Sequence, residues 1–152
     1  MCGFVRIAAV RTKAALTAAR AKNTAMAQRR LKVFFDGGCR PNPGQIEVAV
    51  VTGGKVHHFG NLGLGSNTDA EWQALICAME LARSLGLTGY ELIGDSVDVI
   101  GKAKRVLQAG SARPGCETKL LALAEQTRPA QIRWIKRAQN LAGIALNARH
   151  PR

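Results

Sequence analysis

The sequence predicts an α/β fold built on a mixed sheet. Three observations carry that prediction. Strand-like segments at residues 31–36, 46–52 and 55–62 precede any helical pattern. From residue 68 onward, helical and strand-like segments alternate. And a strand-forming run, Lys32 to Phe35, leads straight into an acid, Asp36, followed by two glycines and a Pro-Asn-Pro-Gly turn. Such a turn is expected to end the strand, leaving a carboxylate at its tip with amide-rich backbone beyond.

The elements follow in order. Gly53-Gly54 is a two-residue hairpin signal joining the second and third strands antiparallel. Residues 63–67 read as a loop. Residues 68–85 form an amphipathic helix, with Trp72, Leu75, Ile76, Met79 and Ala82 at helical spacing and Gly86 as its stop. Residues 90–94 are a fourth strand closing on Asp95. Residues 96–109 and 116–126 are two helices joined by a short link from Gly110 to Gly115. Residues 131–137 make a fifth strand and residues 140–149 a terminal helix. No internal repeat is present.

The chain has 152 residues, about the size of one domain. Its apolar content of 47% is that of a globular protein. No apolar run approaches the roughly 18–20 residues of a membrane-spanning helix. A formal charge of +12 points to a polyanionic partner, most simply nucleic acid. Residues 1–32 hold eight Lys or Arg and no acid, whereas residues 33–152 carry a balance of only +4. Two parts are therefore expected: a basic arm over residues 1–30 and a folded domain over 31–149. Arg6, Arg11 and Lys13 break any signal-peptide layout in the arm. It reads as a phosphate-binding tail, or as a stretch upstream of a start at Met26, ahead of an organelle transit peptide. Cys2, Cys39, Cys77 and Cys116 show no metal-ligand spacing and are expected as reduced thiols in the cytoplasm, with Cys77 in the core.

Three acids fall at comparable places. Asp36 and Asp95 end strands, and Glu71 lies in the first turn of the first helix. In open α/β sheets ligands gather beyond the carboxyl ends of the strands. Clustered carboxylates repel unless a cation neutralises them, and hard oxygens suit Mg²⁺ or Mn²⁺. Each acid also has a plainer reading. Asp36 is a turn residue, Thr68-x-x-Glu71 a capping box, and Asp95 an N-cap, with Asp69 serving the helix dipole. Together, with the glycine turn and the basic charge, they favour a metal site.

These residues resemble ribonuclease H of type 1. The resemblance rests on Asp36-Gly-Gly-Cys-Arg-Pro-Asn-Pro-Gly44, on Ser66-Asn-Thr-Asp-Ala-Glu71 with Leu75 to Leu81 behind it, and on Gly94-Asp-Ser96, and it covers about residues 31–149. It implies a ribonuclease H-like fold, a five-stranded mixed sheet flanked by helices. It implies cleavage of the RNA strand of RNA–DNA hybrids with two Mg²⁺ ions, Mn²⁺ being an alternative. Asp36, Glu71 and Asp95 match three of the family's four metal-binding carboxylates. Gly37, Gly38, Cys39, Asn42, Asn67 and Thr68 match the stretch that contacts the hybrid in its minor groove, where the 2′-hydroxyl is displayed. A monomer with no protein or membrane partner is expected.

The chain departs from the family pattern at four places. Thr68 replaces the second of two paired asparagines. Arg137-Ala-Gln-Asn140-Leu-Ala-Gly143 puts a glycine where the fourth carboxylate belongs. Val97 replaces a glutamine, and the short 110–115 link leaves no basic protrusion. Weakened activity or a shifted metal preference is expected. Asp98 reads as a solvent-facing helix acid, and no histidine is assigned a role. The alternatives are a catalytically silent nucleic-acid-binding domain and a nuclease acting on DNA.

Overall fold

The computed structural model describes residues 30–150; the expected arm therefore lies, apart from Arg30, outside the described residues. The strands are β1 (Lys32–Cys39), β2 (Gly44–Thr52), β3 (Lys55–Phe59), the two-residue β4 (Leu64–Gly65), β5 (Glu91–Gly94) and β6 (Gln131–Trp134). The helices are α1 (Asn67–Ser84), α2 (Val97–Ala109), α3 (Cys116–Gln126) and α4 (Leu141–Ala148), with a 3₁₀ turn at Arg137–Gln139. The sheet order is β3-β2-β1-β5-β6, with β4 pairing to β2. β1, β2 and β3 run antiparallel, and β5 and β6 run parallel to β1. The mixed five-stranded sheet is thus as expected, with β4 as a short addition.

Alternation along β1 sorts the two faces. Val33 and Phe35 enter a core shared with α1, α2 and α3. Phe34 faces the other way, against a smaller cluster of Ala49, Val51, Ala142 and Leu146 beneath α4. The central helix α1 is buried along most of its length, so its apolar stripe is wide. It stops at Gly86, whose φ of 66° permits the closing turn; Leu87 N–H then reaches the Ala82 carbonyl at 2.9 Å. Gly53 and Gly54, with φ of 57° and 76°, make the hairpin.

β1 does not end at Asp36. It continues through Gly37 and Gly38 to Cys39, paired with Val48, Glu47 and Ile46 of β2. Asp36 therefore lies inside the strand, not at its tip. The glycines are there for close approach: a Cβ on Gly37 would lie 2.1 Å from the Ala70 carbonyl oxygen of α1. Other bounds shift by a few residues. The third strand stops at Phe59 and the last at Trp134. No helix among the described residues is long and apolar enough to cross a membrane.

Candidate metal centre

Asp36, Glu71 and Asp95 meet at the end of the sheet, each offering an oxygen within 4.8 Å of the others. The β1–β5 register pairs Phe34 with Ile93. Two residues further along come Asp36, still within β1, and Asp95, just past the end of β5, side by side. Glu71, the fifth residue of α1 and so just past its first turn, comes directly after the Ala70 backbone that rests on Gly37.

Neither helix start needs these acids. The capping box of α1 is Ser66 with Asp69, not Thr68 with Glu71: Asp69 N–H donates to Ser66 Oγ at 3.2 Å, and Ser66 N–H donates to Asp69 Oδ2 at 2.8 Å. Beginning the helix one residue earlier than its sequence suggests leaves Glu71 free. Likewise Ser96, not Asp95, caps α2 by accepting from Val99 N–H at 3.3 Å. Asp98 pairs with Lys102 on the surface at 2.8 Å, so it stays away from the cluster.

The site is electrostatically loaded. Burial, and then the Asp95 charge, raises the Asp36 carboxyl to about 6, against the pull of a Glu71 hydrogen bond and Arg137. Burial, and then Asp36 and Asp95, raises Glu71 to about 9, with Arg137 opposing. Without a cation the Asp36–Glu71 pair shares a proton, since two such carboxylates cannot both ionise cheaply at this separation. Glu71 Oε2 is buried with no hydrogen-bond partner. A divalent cation fits this donor set: it would satisfy the orphaned oxygen and remove the repulsion.

Asn140 locks the arrangement. It is fully buried. Its Nδ2 donates to the Phe35 carbonyl at 3.0 Å and to Asp95 Oδ2 at 3.3 Å. Its Oδ1 caps α4 by accepting from Ala142 N–H at 3.2 Å. Sequence reasoning placed Asn140 in a motif but gave it no role; an asparagine just before a short apolar helix was the available signal. Position 143 faces the cluster as well: a Cβ there would sit 3.4 Å from Asp36 Oδ2.

A cleft of about 200 Å³ opens beside the acids. Gly37, Gly38, Cys39 and Asn67 line it, together with Asp36, Glu71 and Arg137. Asn42 lies behind Asn67, accepting its backbone N–H at 3.2 Å. Asn67 Oδ1 in turn accepts from Cys39 N–H at 3.2 Å. Thr68 is exposed on α1 and is not among the lining residues. Among the lining residues that the sequence did not point to are Glu47 and His150, whose Oε2 and Nε2 are 2.5 Å apart. His150 follows the last helix in sequence, and only the packing of α4 on the sheet returns it to the cleft.

Residues 34–150 match the family described as reverse transcriptase-like. The ribonuclease HI of Halobacterium salinarum is 42% identical over 72 residues, which cover 44% of this chain and 36% of that protein. The chain thus aligns with about a third of that relative's length. The solved RNase H1 of the same archaeon is 28% identical with a TM-score of 0.60, covering 77% of this chain and 93% of that one. The N-terminal RNase H domain of a Mycobacterium tuberculosis protein is 27% identical with a TM-score of 0.59, covering 78% and 94%. LC11-RNase H1, solved in complex with an RNA/DNA hybrid, is 22% identical with a TM-score of 0.57, covering 74% and 89%, and shares the fold.

Proposed function

The chain belongs to the reverse transcriptase-like family, in its ribonuclease H type 1 branch, and from that premise we propose that it cleaves the RNA strand of RNA–DNA hybrids. The observation that carries this reading is the convergence of Asp36, Glu71 and Asp95 around a buried carboxylate oxygen with no partner. Asp36, as the central ligand, with Glu71 and Asp95 beside it, would hold the Mg²⁺ or Mn²⁺ ions. Bound cations supply charge neutralisation and activate water for phosphodiester hydrolysis. The chain's own groups hold and orient. Asn140 fixes Asp95, Arg137 offsets the negative charge of the cluster, and the Gly37–Gly38 backbone leaves one wall of the cleft without side chains.

The hybrid enters along the cleft, with Cys39, Asn42 and Asn67 facing its minor groove. That groove displays the 2′-hydroxyl by which RNA differs from DNA. LC11-RNase H1, bound to such a hybrid on the same fold, supports this choice of substrate. Monomeric action in the cytoplasm belongs to the same reading; the free thiols Cys39, Cys77 and Cys116 suit a reducing compartment.

Gly143 favours a second reading, a domain that binds hybrids without cutting them. Its Cα faces Asp36 and brings no carboxylate. Cleavage of a labelled hybrid in Mg²⁺ and in Mn²⁺, beside Asp36→Asn, decides between the two. Weak cleavage that disappears in Asp36→Asn supports the nuclease. Equal inertness of both proteins, with hybrid affinity intact in EDTA, supports the silent binder.

A further inference from the structure

Trp134 is 44% exposed at the carboxyl end of β6. Trp is usually well covered, so an indole with this much face in water calls for a reason. Its N–H is already committed, donating to the Asp95 carbonyl at 2.9 Å. The polar edge is thereby tied to the backbone of a metal-centre acid, while the apolar face stays open. Other exposed apolar side chains lie close in sequence to Asp95 or to its partner Asn140. Val97, 68% exposed, lies two residues past Asp95, and Leu141, 48% exposed, follows the Asn140 that bonds Asp95. Lys136 and Arg137 are exposed just beyond Trp134. An aromatic face interleaved with cations, where β5 and β6 end beside β1, suits a sugar–phosphate strand.

We propose that Trp134 is a substrate-positioning shelf: the indole face packs on a sugar or base edge of the nucleic acid that occupies the metal centre. This rests on the hybrid-cleavage reading and adds to it a contact made in the absence of metal. Aromatic contacts of this kind tolerate any sequence, because every nucleotide presents a flat or apolar face.

The test measures hybrid binding by the full chain in EDTA. The indole fluorescence of the wild type is expected to be quenched by hybrid, and that of Trp134→Phe, which keeps only buried Trp72, to be unchanged. Trp134→Ala is expected to bind hybrid roughly 10-fold more weakly, the size of one lost aromatic contact. Trp134→Phe, which keeps a ring but loses the N–H tie, is expected to bind within about twofold of wild type. Mn²⁺ affinity, read by calorimetry, is expected to be unchanged in both. Equal hybrid binding by wild type and Trp134→Ala overturns the shelf and leaves the nuclease reading standing. So does a Trp134→Phe defect as large as that of Ala, or a parallel loss of Mn²⁺ affinity, since either means that Trp134 merely holds Asp95. A wild type that neither binds nor cleaves hybrid overturns both. Should Trp134→Ala fail to fold, the fluorescence arm with Trp134→Phe decides alone.

Discussion

Gly37 and the Ala70 carbonyl oxygen meet so closely that any Cβ at position 37 would lie 2.1 Å from that oxygen. This contact sets the height of α1 above β1. It therefore sets the separation of Glu71 from Asp36, because each acid is the immediate neighbour of one of the two contacting residues. Gly37→Ala is expected to push the start of α1 outward, at a cost of about 1–3 kcal/mol, the usual range for overpacking. Urea unfolding would report that loss, and Mn²⁺ calorimetry a weakened site. Unchanged Mn²⁺ affinity in a destabilised variant would show that Glu71 is placed by something else.

The acids should make the metal-free fold pH-sensitive. In the unfolded chain both carboxyls titrate near 4. In the native state burial and mutual repulsion raise Asp36 to about 6 and Glu71 to about 9. The native state thus retains protons that the unfolded chain has released. Its stability is greatest below about pH 4 with respect to these groups and falls as pH rises through 6 and towards 9. In EDTA the melting temperature is expected to fall over this window. Mg²⁺ or Mn²⁺ should restore several degrees, more at pH 8 than at pH 5. Asp36→Asn is expected to abolish cleavage yet melt higher than wild type in EDTA at pH 8, since it removes one buried charge. A variant that melts lower there would contradict the repulsion described.

Gly143→Asp would place a carboxylate beside Asp36, where a Cβ has ordinary contact distances. Cleavage in Mg²⁺ is expected to rise about tenfold or more, the scale of one recovered metal ligand, while stability in EDTA drops through added repulsion. A steady-state assay alongside thermal melting reads both effects. Unaltered cleavage with the expected drop in stability would mean that position 143 faces the acids without serving the metal.

Removing the Asn140 side chain would strip partners from the Phe35 carbonyl, from Asp95 and from the first turn of α4. Asn140→Ala is expected to cost about 2–3 kcal/mol, because these buried polar groups would be left unsatisfied. Mn²⁺ affinity should fall along with stability. Asn140→Asp tests the role separately: it can still cap α4 but brings a fourth negative charge where Nδ2 now donates. Chemical denaturation with calorimetry would tell the two variants apart, and wild-type Mn²⁺ affinity in Asn140→Ala would limit the residue to a structural part.

Much of the site was legible because its chemistry is local. Asp36 before two glycines, Glu71 in a first turn and Asp95 after an apolar strand are marks that short stretches carry by themselves. The plainer readings failed for a local reason as well. Ser66, three residues before Asp69, and Ser96, next to Asp95, are the actual caps, each within two residues of the cap that the sequence suggests. Glu47 with His150 was invisible, because residues 103 positions apart share no pattern until α4 packs on the sheet.

By itself the sequence determined the order of strands and helices, the mixed sheet, the family, and the three acids of the candidate centre. Those follow from period, turn chemistry and motif, which act over a few residues. Only the tertiary structure decided that β1 runs on through Gly37, that Asn140 ties Asp95 to Phe35 and α4, that position 143 looks onto Asp36, and that Trp134 borders the acids. Each depends on how closely two distant segments approach, and that distance is set by packing across the sheet rather than by neighbours along the chain.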